Sequence, residues 1–250
     1  MKLAGRTAIV TGAGSNLGKV FATRLANDGA NIVVADIANA ETAAAEIAAG
    51  AGTGTLGVQA DVTVEADVAR VAARAIEHFG AVDILVNNAA LQRPLQPFEK
   101  IDVAEWRRMM DVNVLGPYLC CRELSAHMRK RKYGRIVNIV SAAALKGAPF
   151  LLHYVSSKGA LIAFTRALAR EVGADSITVN ALAVGFTITE RTLRNPDKLQ
   201  QFREVNRVSR SIARDSLPED LLGTVSFLAS DDAAFMTGQT LVVDGGSVMI

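Results

Sequence analysis

The stretch Arg6-Thr7-Ala8-Ile9-Val10-Thr11-Gly12-Ala13-Gly14-Ser15-Asn16-Leu17-Gly18 decides how this chain reads. Its first half is a short β-type apolar run, and its second half is a turn rich in glycine. A helical pattern follows through Val20, Phe21, Leu25 and Ala26. Glycines in such a turn let the backbone approach a phosphate, and the start of the helix offers free N–H groups and a favourable dipole. A second apolar run, Asn31-Ile32-Val33-Val34-Ala35, ends at Asp36. A carboxylate there accepts hydrogen bonds from both hydroxyls of an adenosine ribose and repels a 2′-phosphate. No Arg or Lys stands at Ser15, Asn16 or Ile37 to hold that phosphate. The pattern is a dinucleotide site that prefers NAD to NADP.

Outward from this stretch, strand and helix patterns alternate. Strands are expected near 7–11, 31–36, 55–60, 82–86, 134–140, 176–182 and 240–243, and helices near 17–28, 39–49, 65–79, 102–132, 153–173 and 218–230. Such alternation predicts a single α/β domain over 1–250 with a doubly wound parallel sheet and helices on both faces. Ligands bind such sheets beyond the carboxyl ends of the strands, where Asp36, Asn87, Ser141 and Gly185 fall. The nucleotide-binding half covers about 1–150, and the catalytic and substrate half about 134–250. The polar, weakly periodic region 186–216 reads as a lid over the cleft.

A second chemical signal lies in that later half. Ser141 ends a strand-like run, and Tyr154 and Lys158 lie four residues apart in a helical pattern. Residues at i and i+4 share a helix face. An ammonium beside a phenol favours the phenolate, and a free phenol, with a pKa of about 10, is too weakly acidic to serve as a base at neutral pH. The pair is therefore expected to lower the Tyr154 pKa into the range where general acid–base catalysis works, with Ser141 holding the reacting oxygen.

Together these residues resemble the short-chain dehydrogenase/reductase family over essentially the whole chain. Thr11 to Gly18 matches its Thr-Gly-x-x-x-Gly-x-Gly turn, Asn87-Asn88-Ala89-Ala90 its Asn-Asn-Ala-Gly, and Gly238 to Gly246 its C-terminal strand and turn. The resemblance implies a seven-stranded Rossmann fold and an NAD-dependent alcohol dehydrogenase. It implies a catalytic set of Asn113, Ser141, Tyr154 and Lys158, with Asn113 anchoring a water and Lys158 binding the nicotinamide ribose. It also implies cofactor contacts from Gly12, Gly14, Ser15, Asn16, Leu17, Gly18, Asp36, Asp61, Val62, Asn88, Ala89, Tyr154, Lys158, Gly185, Thr187 and Thr189, and pairing of subunits into a homotetramer.

Three departures have physical content. Asn16 replaces the middle glycine of the turn, and Asn tolerates φ > 0 better than most residues. Ala90 replaces a glycine and adds a methyl near the cleft. Ala183-Val184-Gly185 stands where Pro-Gly is usual, which restores an N–H at 184 and predicts a more mobile loop.

The substrate signal is mixed. Leu145, Pro149, Phe150, Leu151 and Leu152 predict an apolar wall that suits a hydrophobic secondary alcohol or its ketone. Arg93, Ala143, Phe150, His153 and Phe186 are the expected substrate contacts. Arg93, Lys146, Arg191 and Arg194 read either as solvated charges or as partners for an anionic group, and His153 either as a substrate contact or as a packed side chain. Sugars, polyols and anionic hydroxy-compounds, sulfonated sugars included, stay open as alternatives. A long-chain acyl-carrier substrate with NADPH is disfavoured by Asp36. Readings from another class are a non-catalytic NAD sensor and a scaffold, which the intact catalytic set disfavours.

Composition excludes other classes. At 250 residues, 50% hydrophobic, the chain can build one sizeable core. A net charge of +2 gives no reason to invoke nucleic acid. Charged residues interrupt every apolar run below membrane-spanning length, and Met1 to Arg6 lacks the apolar core of a secretion signal. The two cysteines, Cys120 and Cys121, are adjacent and read as packing residues in a reducing cytoplasm. No pattern of His, Cys and acids predicts a metal site.

Overall fold

The computed structural model describes residues 1–194 and 196–250. Its centre is a parallel sheet of β1 Thr7–Thr11, β2 Asn31–Asp36, β3 Thr55–Gln59, β4 Ile84–Asn87, β5 Gly134–Ser141, β6 Ile177–Val184 and β7 Thr240–Val243. The seven strands run in the order β3-β2-β1-β4-β5-β6-β7, so the winding reverses between β1 and β4. The helices are α1 Asn16–Asn27, α2 Ala40–Ala51, α3 Glu65–Phe79, α4 Val103–Met110, α5 Gly116–Arg131, α6 Ala142–Lys146, α7 Leu152–Val172, α8 Glu190–Leu193, α9 Pro196–Val208 and α10 Glu219–Ala229.

Strand periodicity explains the two cores. Successive side chains point to opposite faces, so Val10, Val34, Val86 and Val137 meet α1, α2 and α10. Their neighbours Ile9, Val33, Leu85 and Ile136 meet α3, α5 and α7 on the other face. Both faces are covered, which is why the strands read as nearly continuous apolar runs. Complete burial of Phe21, Leu25, Ile32 and Ile84 stabilises by about 1.5–3 kcal/mol each. Cys120 and Cys121 are unpaired and buried in the second core. Burial pushes the Cys120 thiol up to about 12 and raises that of Cys121 as well, with Cys120 adding to it.

Three local features differ from expectation. The helix expected over 102–132 is α4 and α5 joined by a π turn, Asp111–Leu115. Pro117 follows it, and a proline has no N–H to give the carbonyl four residues back, which here belongs to Asn113. The lid expected over 186–216, which includes position 195 outside the described residues, contains two helices. Leu199 is buried in α9 and Phe202 stacks on Phe186 with ring centres 5.5 Å apart. Finally, β6 runs through Val184, which pairs with Ser141 and Val243. The absent proline therefore lengthens a strand rather than loosening a loop.

Among the described residues, no helix is long and apolar enough to cross a membrane.

Candidate active site

The turn between β1 and α1 is shaped by close backbone packing. Gly12 has φ +65°, and a Cβ there would stand 2.7 Å from the Ala89 Cα. A Cβ on Gly18 would press on the Gly12 carbonyl and stand 2.5 Å from the Asn88 side-chain nitrogen. The Asn88 amide donates to the carbonyls of Thr11 at 2.9 Å and Gly12 at 3.0 Å. The Thr11 hydroxyl accepts from the N–H groups of Asn88 and Ala89, both at 3.1 Å. The turn is thus braced from β4. Asn16 has φ +50°, and its Oδ1 accepts the Arg191 N–H at 3.1 Å. No side chain caps α1, so its first N–H groups are left for a ligand. That vacancy and the tight glycine cradle fit the diphosphate of a dinucleotide.

Asp36 ends β2, with Oδ2 accepting the Gly14 N–H at 2.8 Å and Oδ1 the Ala38 N–H at 3.0 Å. A carboxylate offers about four acceptor positions, so each oxygen keeps one for a ribose hydroxyl. Asp61 accepts from the Thr63 hydroxyl at 2.7 Å and N–H at 2.9 Å, and from Arg108 at 3.2 Å. Burial alone would raise its pKa; these bonds outweigh that and hold it below the usual range.

Proton-transfer groups gather at the ends of β5 and β6. Ser141 ends β5 and caps α6, its Oγ accepting the Ala143 N–H at 3.2 Å. Tyr154 lies in the first turn of α7 and Lys158 one turn later. Lys158 is buried; its Nζ donates to the Ile139 carbonyl at 2.8 Å and stands 5.9 Å from the Tyr154 ring centre. Burial pulls the Lys158 pKa down to about 8. Tyr154 departs from expectation: burial raises its pKa, against a hydrogen bond with Ser141 and the charge of Arg191, which lower it. Lys158 is not among the groups that lower it: its ammonium is turned to the Ile139 carbonyl.

Asn113 sits in the π turn, a feature frequent at functional sites. Its Oδ1 accepts the Leu91 N–H at 2.7 Å, and its Nδ2 donates to the Leu91 carbonyl at 3.0 Å and to Ser157 at 3.0 Å. The side chain is completely buried, so it acts on the loop after β4 rather than facing the cleft. Asn87 is structural too: it donates to Asn138 at 2.8 Å, which donates to Thr165 at 2.9 Å.

One cleft of about 800 Å³ joins these groups. Gly12, Ser15 to Gly18, Asp36, Asp61, Val62, Asn88 and Ala89 border it, with Ser141, Tyr154, Lys158, Gly185, Thr187 and Thr189. Of the expected substrate contacts, Arg93, Ala143 and Phe186 border it. Phe150 and His153 do not. Phe150 has φ +62° and is 56% exposed. His153 is fully buried, with Nε2 on Glu105 Oε1 at 3.1 Å, so the packed alternative describes it. Gly14 lies behind the lining and serves Asp36. Of the expected apolar wall, Leu151 alone lines the cleft; Leu91, Pro94, Leu95, Phe186 and Phe202 supply the rest.

Sequence reading missed Phe202, Asn206 and Arg210 on the lid side of the cleft. Arg210 donates to the carbonyls of Phe186 at 2.6 Å, Arg214 at 2.9 Å and Asp244 at 2.9 Å. Only the i, i+3 spacing of Leu199 and Phe202 hinted at α9, and no motif marks Arg210.

Known proteins share this arrangement. Residues 12–248 match the family model described as enoyl-(acyl carrier protein) reductase. A 3-oxoacyl-[acyl-carrier-protein] reductase of Synechocystis is 38% identical, over 99% of this chain and 98% of its own. A cis-4-hydroxycyclohexanecarboxylate dehydrogenase of Sinomonas cyclohexanicum is 36% identical, over 96% of each chain. The solved 3-ketoacyl-(acyl-carrier-protein) reductase of Brucella melitensis, complexed with NADH, superposes with a TM-score of 0.89 at 37% identity, covering 99% of this chain and 100% of that one.

Proposed function

This chain belongs to the short-chain dehydrogenase/reductase family of oxidoreductases, and we propose that it moves hydride between NAD(H) and a secondary alcohol or its ketone. The observation that carries the reading is a single cleft with Ser141, Tyr154 and Lys158 on one side and Asp36 on the other. NAD, held by the uncapped start of α1 and by Asp36, would accept the hydride from the carbinol carbon. Tyr154 takes the hydroxyl proton. Ser141 hydrogen-bonds the reacting oxygen while charge builds on it. Lys158, buried in the same cleft, would bind the nicotinamide ribose, and its charge would favour the phenolate once the Ile139 carbonyl is exchanged for that partner. Asn113 positions the loop from Leu91 onward. The preference for NAD rests on Asp36 and on the absence of cations at positions 15, 16 and 37. The likeness to a hydroxycyclohexanecarboxylate dehydrogenase supports a carbinol as the reacting group.

The test is initial rates of NADH formation with NAD, and NADPH formation with NADP in parallel. The panel holds cyclic secondary alcohols, polyols, sugars, hydroxy acids and a 3-hydroxyacyl thioester. Turnover of an alcohol with NAD is expected; turnover with NADP alone would remove the reading of Asp36. A homotetramer belongs to the same proposal. Val103, Leu115 and Tyr118, exposed along α4, the π turn and α5, support a face that another copy covers, and light scattering would give the mass.

A further inference from the structure

The charges that border the cleft do not balance within it. Its carboxylates are Asp36, Asp61 and Asp244. Asp36 and Asp61 are engaged as described, and Asp244 accepts the N–H groups of Gly246 at 3.0 Å and Ser247 at 2.9 Å. Arg93, Lys146 and Arg191 also border it. Among the described residues, none of these three pairs with a carboxylate. Lys146 donates to the Ser247 hydroxyl.

Arg191 is the most firmly placed of the three. Its N–H is held by Asn16, on the nucleotide turn. Its guanidinium donates through Nη2 to the Gln92 carbonyl at 3.0 Å, on the loop that follows β4. The side chain therefore spans the mouth of the cleft from the lid to that loop. A guanidinium has five N–H donors in a planar fork, and one carbonyl leaves most of them for a ligand. Arg191 and Tyr154 line the same cleft, and the Arg191 charge favours the Tyr154 phenolate. Arg93 is the next residue after Gln92 and carries a second cation to the same mouth.

We propose that the substrate carries an oxyanion, a carboxylate or a sulfonate, which Arg191 holds with help from Arg93 while Tyr154 acts on a hydroxyl elsewhere in the same molecule. This rests on the dehydrogenase reading and adds the substrate class to it. A planar fork suits bidentate recognition of an oxyanion. The apolar side chains Leu91, Leu95, Leu151 and Phe186 then face the carbon skeleton between anion and carbinol.

Matched substrates test it: 4-hydroxycyclohexanecarboxylate, its sulfonate analogue and its carboxamide, each with NAD. The acids are expected to exceed the amide in kcat/KM by about 10–100-fold, the value of a charge-assisted hydrogen bond. Whichever acid is faster identifies the oxyanion. In Arg191→Leu the acid-to-amide ratio collapses to within about threefold of one; Arg191→Lys keeps part of it, and Arg93→Leu loses less. A ratio near one in the unmodified protein overturns the proposal. So does an intact ratio in Arg191→Leu, and a raised KM for NAD in that variant would then assign the side chain to the diphosphate. Calorimetry on the unmodified protein with NAD present gives a readout that needs neither turnover nor a folded variant. Cyclohexanecarboxylate is expected to bind at least about tenfold tighter than its carboxamide, and equal binding overturns the proposal. Carboxylate binding without turnover of any alcohol would sink the dehydrogenase reading and leave the anion site standing.

Discussion

On the nucleotide side of the cleft, the backbone itself is the recognition surface. Gly12 and Gly18 have no room for a Cβ, Asn88 and Thr11 tie the turn to β4, and Asp36 is oriented by two N–H groups. On the side proposed for substrate, side chains from a loop and a lid line the cleft: Leu91, Arg93 and Leu95 after β4, and Phe186, Arg191 and Phe202 around α8 and α9. A surface made of backbone tolerates few residue types at fixed spacing. A surface made of side chains can be rebuilt one residue at a time without disturbing the sheet. The contrast explains how one fold keeps its cofactor and changes its substrate.

The largest effect should come where the two surfaces meet. Tyr154→Phe removes the proton acceptor and is expected to lower kcat by about 10²–10⁴-fold, while NAD titration still shows binding. Retained turnover would mean that the proton leaves by another group. The pH profile sharpens the same point. Burial raises the Tyr154 pKa, so the phenolate is scarce at neutral pH and grows about tenfold per pH unit. In the oxidative direction kcat/KM should therefore rise with pH between about 6 and 8. A profile that is flat between pH 6 and 8 would break this assignment.

Asp36→Ala comes next. The ratio of kcat/KM with NAD to that with NADP should fall by about 10–100-fold, as a charged acceptor for the ribose is lost. An unchanged ratio would show that discrimination lies elsewhere. Gly18→Ala asks whether the cradle is as tight as its geometry. The added methyl meets the Gly12 carbonyl, and overpacking of this kind costs about 1–3 kcal/mol, read as a lower denaturant midpoint and weaker NAD binding. Asn16→Gly should be mildest, changing stability by less than about 1 kcal/mol, because glycine takes φ +50° freely and only the exposed contacts with Ser15 and Arg191 are lost.

The same contrast governs what could be read from the sequence. Thr11 to Gly18, Asp36 and the Ser141, Tyr154, Lys158 spacing carry their geometry in residue type, since a turn that excludes a Cβ can hold only glycine. The five inner strands were legible because burial on both faces leaves apolar runs, and the edge strands β3 and β7 because the alternation with helices continues through them. The π turn was not, since it lies inside an otherwise helical pattern and only Pro117, just after it, marks an interruption. The α9 helix was hidden by a mostly polar stretch whose inward positions are few. Phe150 was misread, and His153 was left between two readings, because nearness to Tyr154 in sequence says nothing about direction. Phe150 is exposed at positive φ, and His153 is buried against Glu105. The sign of the Tyr154 shift was missed because spacing alone does not reveal that Tyr154 is itself buried and that Lys158 is turned to Ile139.

Asn16 joins the two surfaces. Its side chain accepts the backbone N–H of Arg191, which ties the first turn of α8 to the turn between β1 and α1. Whatever free energy this contact contributes to closing the mouth is shared between two ligands. If NAD tightens the hold on substrate by some factor, substrate must tighten the hold on NAD by that same factor. The single replacement of glycine by asparagine would then confer cooperativity within one subunit, visible as a KM for each ligand that falls as the other saturates.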